Sequence, residues 1–303
     1  MKEKIGKVIL NYDYYSGEDL YSEGDEAEEN ILDIVKKTDD YYDEILKKRN
    51  WIIIYHLLKQ RENIVDPMEI SADDEILEIG AGMGAITGAL ARKAKKVDCI
   101  DLSKRRSMIN AYRNKKYNNI EIFVGNFEDI KIDKKYDVVV LIGVLEYAQH
   151  YIASNAPYDD FIKKISQCLK SNGKLYLAIE NKLGLKYFAG YCEDHLGKPF
   201  VGIEEYKKED NVKTFSKSQL ENLILRNGFK STYFYYPYPD YKLPEIIFSD
   251  DYLPTNEFNL SIDSNYAIGR IRCFDENKVY KSLSGTEELK MLSNSFLVEA
   301  IRS

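Results

Sequence analysis

From Asp74 onward the chain alternates short apolar runs with stretches whose apolar residues recur at three- and four-residue spacing. The runs are Ile76–Ile79, Lys96–Asp101, Asn119–Val124, Tyr136–Ile142 and Lys174–Glu180, and each predicts a short strand. Tyr136–Ile142 is almost continuously apolar, as a central strand buried on both faces requires. Between the runs, Ala85–Lys93, Phe161–Leu169 and Ser216–Arg226 have helical spacing, with Ser216 placed as an N-cap and Gly228 as the terminating glycine. Strand and helix in strict alternation with short connections predict an α/β fold: a mostly parallel sheet with helices on both faces.

The flanks follow other patterns. Residues 1–66 predict a helical cap, since Glu26–Lys37 carries an apolar face of Ile31, Leu32, Ile34 and Val35. A second helix is expected from Asp40 to Lys59, stopping before Pro67, while Asn11–Gly17 and Leu20–Asp25 suggest aromatic, acidic turns. Helical padding against the sheet edge is the plainer alternative for these helices. The nucleotide fold is expected over 67–244, interrupted after its fifth strand by a connection from 181 to 214. A loop of that length with aromatic and glycine content is usually functional, and at a strand's C-terminal end it suits a substrate lid. Beyond Pro244 the pattern weakens: a strand or arm at Glu245–Asp250, a hairpin over Ala267–Lys281, then an open-ended run to Ser303. Residues 245–303 are therefore expected as an extension, possibly the start of a further domain.

Chemistry enters with Glu75–Gly84. Gly80, Gly82 and Gly84 break the chain between a strand and a helix, where backbone can approach a nucleotide-like ligand closely. Glu78, two residues before the first glycine, can hold a cationic amine. Asp101, ending the next strand, can accept from both hydroxyls of a ribose. An amine and a ribose without a phosphate suggest S-adenosylmethionine. The spacing Gly80-x-Gly82-x-x-Ala85 fits a dinucleotide fingerprint equally well, so a dehydrogenase stays open on the glycines alone. Further along, Asn126 can hydrogen-bond the exocyclic amine of an adenine, and Phe127 can offer its backbone amide and a ring beside the base.

With Gly143-Val144-Leu145-Glu146-Tyr147 after the fourth strand, residues 74–229 resemble the class I S-adenosylmethionine-dependent methyltransferases, which have a Rossmann-like sheet. The resemblance implies a cofactor cleft lined by Glu78, Gly80, Ala81, Gly82, Gly84, Asp101, Leu102, Asn126, Phe127 and Ile142. A narrower likeness, carried by Glu180-Asn-Lys-Leu-Gly-Leu-Lys-Tyr-Phe-Ala-Gly190 and Tyr236–Pro244, is to bacterial methyltransferases of cell-surface polysaccharide and glycan biosynthesis. It implies a sugar or other small-molecule acceptor and a glycosyltransferase partner or self-association. Substrate contacts are expected from Tyr147, Glu180, Asn181, Tyr187 and Tyr206, whose rings and polar groups suit such an acceptor.

Methyl transfer to a hydroxyl needs alignment and a base. His195, flanked by Glu193 and Asp194, is the first candidate for the base, with Glu146 as the second catalytic residue and Glu180 and Glu204 as alternatives. His56 reads as structural, and His150 is open to the cleft or to solvent. Tyrosines, including Tyr236, Tyr238 and Tyr241, suit a ring with apolar faces and hydroxyls. Glu146 and Glu180 end strands where a metal-dependent transferase would place ligands, but the sequence adds no further ligand and no metal is expected. No Asp/Asn-Pro-Pro-Tyr or Pro-Cys follows the fourth strand, which argues against methylation of adenine or cytosine. A net charge of −7 over 303 residues argues against a nucleic-acid substrate. Four scattered cysteines, no membrane-spanning apolar stretch and no signal-like start favour a cytoplasmic protein. An N-methyltransferase of an amino sugar or small amine, or a non-catalytic docking module, remains an alternative. The acceptor, the regiochemistry and the oligomeric state do not follow from the sequence.

Overall fold

The computed structural model describes residues 1–303 apart from Leu20, Asn256 and residues 258–269. Its contacts gather into two units: Met1–Leu141 with Cys168–Gly173, and Ile142–Gln167 with Lys174–Ser303.

Unit 1 holds β1 (Lys2–Ile5), β2 (Val8–Tyr14), α1 (Asp25–Lys37), α2 (Tyr42–Lys48), α3 (Trp51–Leu57), β3 (Glu75–Ile79), α4 (Thr87–Lys93), β4 (Lys96–Asp101), α5 (Lys104–Arg113), β5 (Ile120–Gly125) and β6 (Tyr136–Ile142). The strands pair in the order β1-β2-β5-β4-β3-β6; only β1 and β2 are antiparallel. Parallel strands need both faces covered, and β3, β4 and β6 comply: Ile76, Val97, Cys99, Val139, Val140 and Leu141 are fully buried.

The N-terminus departs from expectation in two places. Instead of turns beginning at Asn11, an apolar ribbon with Val8 and Leu10 fully buried adds β2 beside β5 and runs to Tyr14. Tyrosines there mask a strand as a turn. The single helix expected over Asp40–Lys59 is two helices and a 3-10 turn, Lys59–Val65. Arg49 takes a left-handed conformation (φ 46°), and Asn50 caps α3 by accepting from the amides of Ile52 (2.9 Å) and Ile53 (3.4 Å). The helices pack as one apolar cluster, with Ile31, Val35, Ile53 and Leu57 against Ile109 of α5 and Met83 of the glycine turn. The cap therefore supports the turn itself.

Unit 2 holds α6 (Ala148–Tyr151), α7 (Pro157–Cys168), β7 (Leu169–Glu180), α8 (Leu185–Phe188), α9 (Val201–Glu204), α10 (Lys217–Leu225), β8 (Phe229–Tyr238), β9 (Ile246–Ser249), α11 (Glu276–Leu283), α12 (Glu287–Leu292) and β10 (Ser295–Arg302), where α7 ends and β7 begins in unit 1. Its strands order β7-β10-β8-β9, all antiparallel. α10 carries the full capping box, Ser216 with Gln219. The stretch expected as an extension supplies β9, α11, α12 and β10, and β10 lies between β7 and β8 with Phe296, Leu297, Val298 and Ala300 fully buried. Of the expected hairpin, Ala267–Gly269 lie outside the described residues. From Glu276 the chain is helical, because Asp275 caps the amides of Asn277 and Lys278. The 181–214 connection is anchored at its start, where Asn181 donates to the carbonyls of Met291 (2.8 Å) and Ser293 (2.7 Å). Among the described residues no helix is long and apolar enough to cross a membrane.

Candidate active site

In unit 1 the glycine turn is folded onto the end of β4. The amides of Gly80 and Ala81 both donate to the Ile100 carbonyl, at 2.8 and 3.1 Å, and the Gly82 amide donates to Asp101 Oδ2 at 2.7 Å. Ser103 N–H reaches the other Asp101 oxygen at 3.0 Å. Glycine is required in this turn. At Gly84 φ is +73°, and a Cβ would run into the buried Asn110 side chain. Burial raises the Asp101 pKa, against the pull of Arg106 and the two amides.

Glu78 is buried in the same turn. Thr87 Oγ1 donates to its Oε2 at 2.7 Å and Cys99 Sγ lies 3.4 Å away; Asn110 in turn donates to Thr87 at 3.1 Å. Burial pushes its pKa up to about 7, the two weak donors oppose this, and Asp101 adds to it. None of these groups is a cation. Asn126 accepts from the Glu128 amide (3.0 Å) in a tight turn, Phe127 is buried, and Leu102 is half-buried. Ile142 belongs to unit 2.

Around Asp101 lies a network that sequence reasoning passed over. Arg106 sits 4.7 Å from the Tyr21 ring and 3.3 Å from Glu23, and a Cβ on Gly82 would meet its guanidinium at 2.8 Å. His56 pairs with Glu23. Burial lowers the His56 pKa to about 4 against the carboxylate's pull. Burial would raise Glu23, but His56 and Arg106 outweigh it and hold Glu23 at about 2. His56, expected to be structural, is buried and paired within this network. Asp19 accepts from Ser103 Oγ (2.9 Å) and the amides of Lys104 (2.7 Å) and Arg105 (3.2 Å), which ties the N-terminal segment to the start of α5. No periodicity marks these residues, because their partners lie far apart in the chain.

Unit 2 brings three of the expected residues together. Glu146, Glu180 and His195 each offer an atom within 4.8 Å of the others. Glu146 is 1% exposed and Glu180 0%. His195 Nδ1 lies 2.9 Å from the Tyr147 hydroxyl, and its Nε2 3.4 Å from Glu180 Oε2. The other Glu180 oxygen takes Lys242 Nζ at 2.6 Å and the Tyr241 hydroxyl at 3.2 Å. Lys242 is shared with Asp194 (2.6 Å), which also binds Lys186 (2.8 Å) and the Tyr187 hydroxyl. Glu146 Oε2 is buried and has no hydrogen-bond partner.

The charges follow from this geometry. Burial raises Glu146 to about 8, helped by Glu180 and opposed by His195. Burial works against an ionised Glu180, but Lys242 and His195 hold it well below the usual carboxylate range. Burial would lower His195, yet Glu180, Glu146 and Glu193 outweigh it and lift the imidazole to about 9. These carboxylates favour the protonated imidazole, so His195, expected as the base, would first have to give up that proton. Asp194 does not orient it either, because Lys186 and Lys242 claim that carboxylate; Tyr147 and Glu180 do so instead.

The remaining expected residues divide. Asn181 spends its donors on backbone carbonyls, Tyr206 binds Glu193 (3.1 Å) and Thr214 (2.7 Å), and Tyr187 binds Asp194. Tyr236 and Tyr238 are strand residues packed on Phe296 and Phe248. His150 is exposed. Lys186, Lys242 and Asp240 were not foreseen, since an isolated lysine in a tyrosine-rich stretch gives no spacing signal.

Known proteins resolve the choice that the glycine spacing left open. A family model described as a methyltransferase domain matches residues 77–175. The chain is 32% identical over 116 residues to the putative methyltransferase 235L of Invertebrate iridescent virus 6, covering 38% of this chain and only 41% of that protein. It is 30% identical over 193 residues to the ubiquinone biosynthesis O-methyltransferase of Pelagibacter ubique, covering 57% of this chain and 78% of that protein. Among solved structures, a chain in the complex between the Haloferax volcanii Trm112 methyltransferase activator and the putative methyltransferase superposes with a TM-score of 0.50 at 14% identity, covering 93% of this chain and 99% of that one. That likeness is one of fold alone. Unit 1 fits S-adenosylmethionine on its own evidence: Glu78 is a buried carboxylate shifted by no cation among the described residues, and an α-ammonium group would supply one. With a Rossmann-like sheet, a glycine turn under Asp101 and that carboxylate in place, the chain belongs to the class I S-adenosylmethionine-dependent methyltransferases.

Proposed function

We propose that the protein transfers a methyl group from S-adenosylmethionine to a hydroxyl oxygen of a sugar or glycan-related small molecule. The observation that carries this reading is the cluster of the buried Glu146 and Glu180 with the half-buried His195, in which Glu146 Oε2 is buried without a hydrogen-bond partner. A buried carboxylate oxygen without a donor is costly, and an acceptor hydroxyl supplies the missing hydrogen bond. Tyr147 and Tyr241 at the cluster add aromatic faces with polar tips, which suit a hydroxylated ring. The Pelagibacter ubique relative is named an O-methyltransferase, which supports oxygen as the nucleophile.

In the reaction the acceptor oxygen forms a bond to the methyl carbon as the carbon–sulfur bond breaks. Sulfur keeps the electron pair and becomes the neutral thioether of S-adenosylhomocysteine, and the hydroxyl proton leaves through the cluster to solvent. The protein's part is alignment and a path for that proton. Lys186, Lys242 and Asp194 hold the cluster's geometry.

The test is S-adenosylhomocysteine release from methyl-labelled cofactor against a panel of free and nucleotide-linked sugars, with amino sugars and small amines alongside. Product with an O-methyl linkage is the expected outcome. Turnover confined to the amines contradicts the choice of oxygen, and release with none of the panel contradicts the acceptor class.

A further inference from the structure

We propose that Glu146, Glu180 and His195 form a divalent-cation site that binds the acceptor's hydroxyl oxygen; this rests on the acceptor reading above and deepens it.

The ligand atoms of the three residues lie within 4.8 Å of one another; both carboxylates are buried, unlike those that gather on open surfaces, and His195 is half-buried. The second observation is that Glu146, whose carboxylate belongs to this group, has its Oε2 buried and without a hydrogen-bond partner. Once a cation displaces the protons of Glu146 and His195, the carboxylates of Glu146, Glu180, Asp194 and Asp240 exceed the ammonium groups of Lys186 and Lys242 by two charges, which a divalent ion neutralises. Lys242 and Tyr241 bind Oε1 of Glu180, and Oε2 lies toward His195.

The separation of His195 Nε2 and Glu180 Oε2, 3.4 Å, is long for a hydrogen bond. It suits two ligand atoms on adjacent vertices of an octahedral cation, about 3 Å apart when each bond is about 2.1 Å. The Tyr147 hydroxyl, 2.9 Å from Nδ1, fixes the ring and leaves Nε2 for the ion, the usual arrangement of a metal-bound histidine. Two carboxylates and one imidazole suit a cation of the Mn²⁺ or Mg²⁺ kind. Three protein donors leave positions open for substrate oxygen. A hydroxyl bound there is more acidic, and its proton passes to solvent while the oxygen takes the methyl group.

The experiment titrates MnCl₂ into the chelator-treated full chain, followed by calorimetry and by electron paramagnetic resonance. S-adenosylhomocysteine affinity and thermal unfolding of each variant serve as controls for folding. One bound Mn²⁺ per chain is expected. Glu146→Gln and His195→Ala should weaken it by at least ~100-fold and Tyr147→Phe by ~10-fold, with cofactor affinity unchanged. A wild type that binds S-adenosylhomocysteine but none of Mn²⁺, Mg²⁺ or Zn²⁺ overturns the cation site and leaves the methyltransferase standing. Mn²⁺ binding unaffected by the three substitutions also overturns it. Sugar methylation that persists in chelator sinks the cation alone, whereas Mn²⁺ bound with no sugar methylated sinks the acceptor reading.

Discussion

Glu78 and Glu146 are both buried carboxylates whose protonated forms are favoured by their surroundings, yet the two sites are built in opposite ways. Glu78 is held by neutral donors from nearby chain, Thr87 and Cys99, within one strand–turn–helix–strand sequence. It has no positive charge beside it among the described residues, and we propose that the cofactor's ammonium group supplies one. Glu146 instead faces a second carboxylate and an imidazole, and these come from β7 and from the connection after it. Its cluster already contains lysines, but they are spent on Glu180, Asp194 and Asp240. One site is built from local geometry within a single strand–turn–helix–strand sequence; the other depends on long-range contacts that assemble several charges.

The largest effect should come from breaking the long-range site. Glu180→Ala leaves Lys242 and His195 without their buried partner, and removing one member of such a pair costs about 3 kcal/mol or more. Urea unfolding should show that loss, and a change below about 1 kcal/mol would mean the cluster is not the keystone of unit 2.

The local site should show itself through pH. The Glu78 pKa is raised in the folded protein to about 7 from an ordinary 4.5. The folded state thus keeps a proton that the unfolded chain loses. Without cofactor, the contribution of Glu78 to stability should be full below pH 4.5 and be lost as pH rises to about 7, a loss of about 3 kcal/mol. Glu78→Gln should flatten that part of the profile. Cofactor binding should run the other way, since the ammonium group needs the ionised carboxylate. S-adenosylhomocysteine affinity should rise up to about tenfold per unit below pH 7 and level off above it. An affinity independent of pH between 6 and 8 would break the assignment.

Thr87→Val should have the smallest effect. It removes one donor to Glu78 at nearly constant shape, and should cost about 1–2 kcal/mol and move the pH profile upward. A profile that stays in place would mean burial alone sets the Glu78 pKa.

The same contrast explains what could be read from sequence. Glu78, Gly80, Gly82, Gly84 and Asp101 lie within one strand–turn–helix–strand pattern, so spacing alone locates them. Glu146, Glu180 and His195 were each legible singly, as polar residues after strands or in a long connection. Their convergence was not legible, nor were Lys186 and Lys242, because the contacts that join them carry no periodicity. Ser295–Arg302 is an apolar run, but nothing in the run says that it pairs with both β7 and β8. At Arg49-Asn50 helical spacing of apolar residues continued across a break that local capping imposes.

The most direct test is calorimetric titration of S-adenosylhomocysteine into wild type, Glu78→Gln and Glu146→Gln at pH 7.5. Loss of a charged partner should weaken binding by about 10- to 100-fold in Glu78→Gln, while Glu146→Gln should bind within about twofold of wild type, inside the usual range of substitutions away from the ligand. Equal weakening in both variants, or none in Glu78→Gln, would contradict the division between a cofactor carboxylate and an acceptor carboxylate.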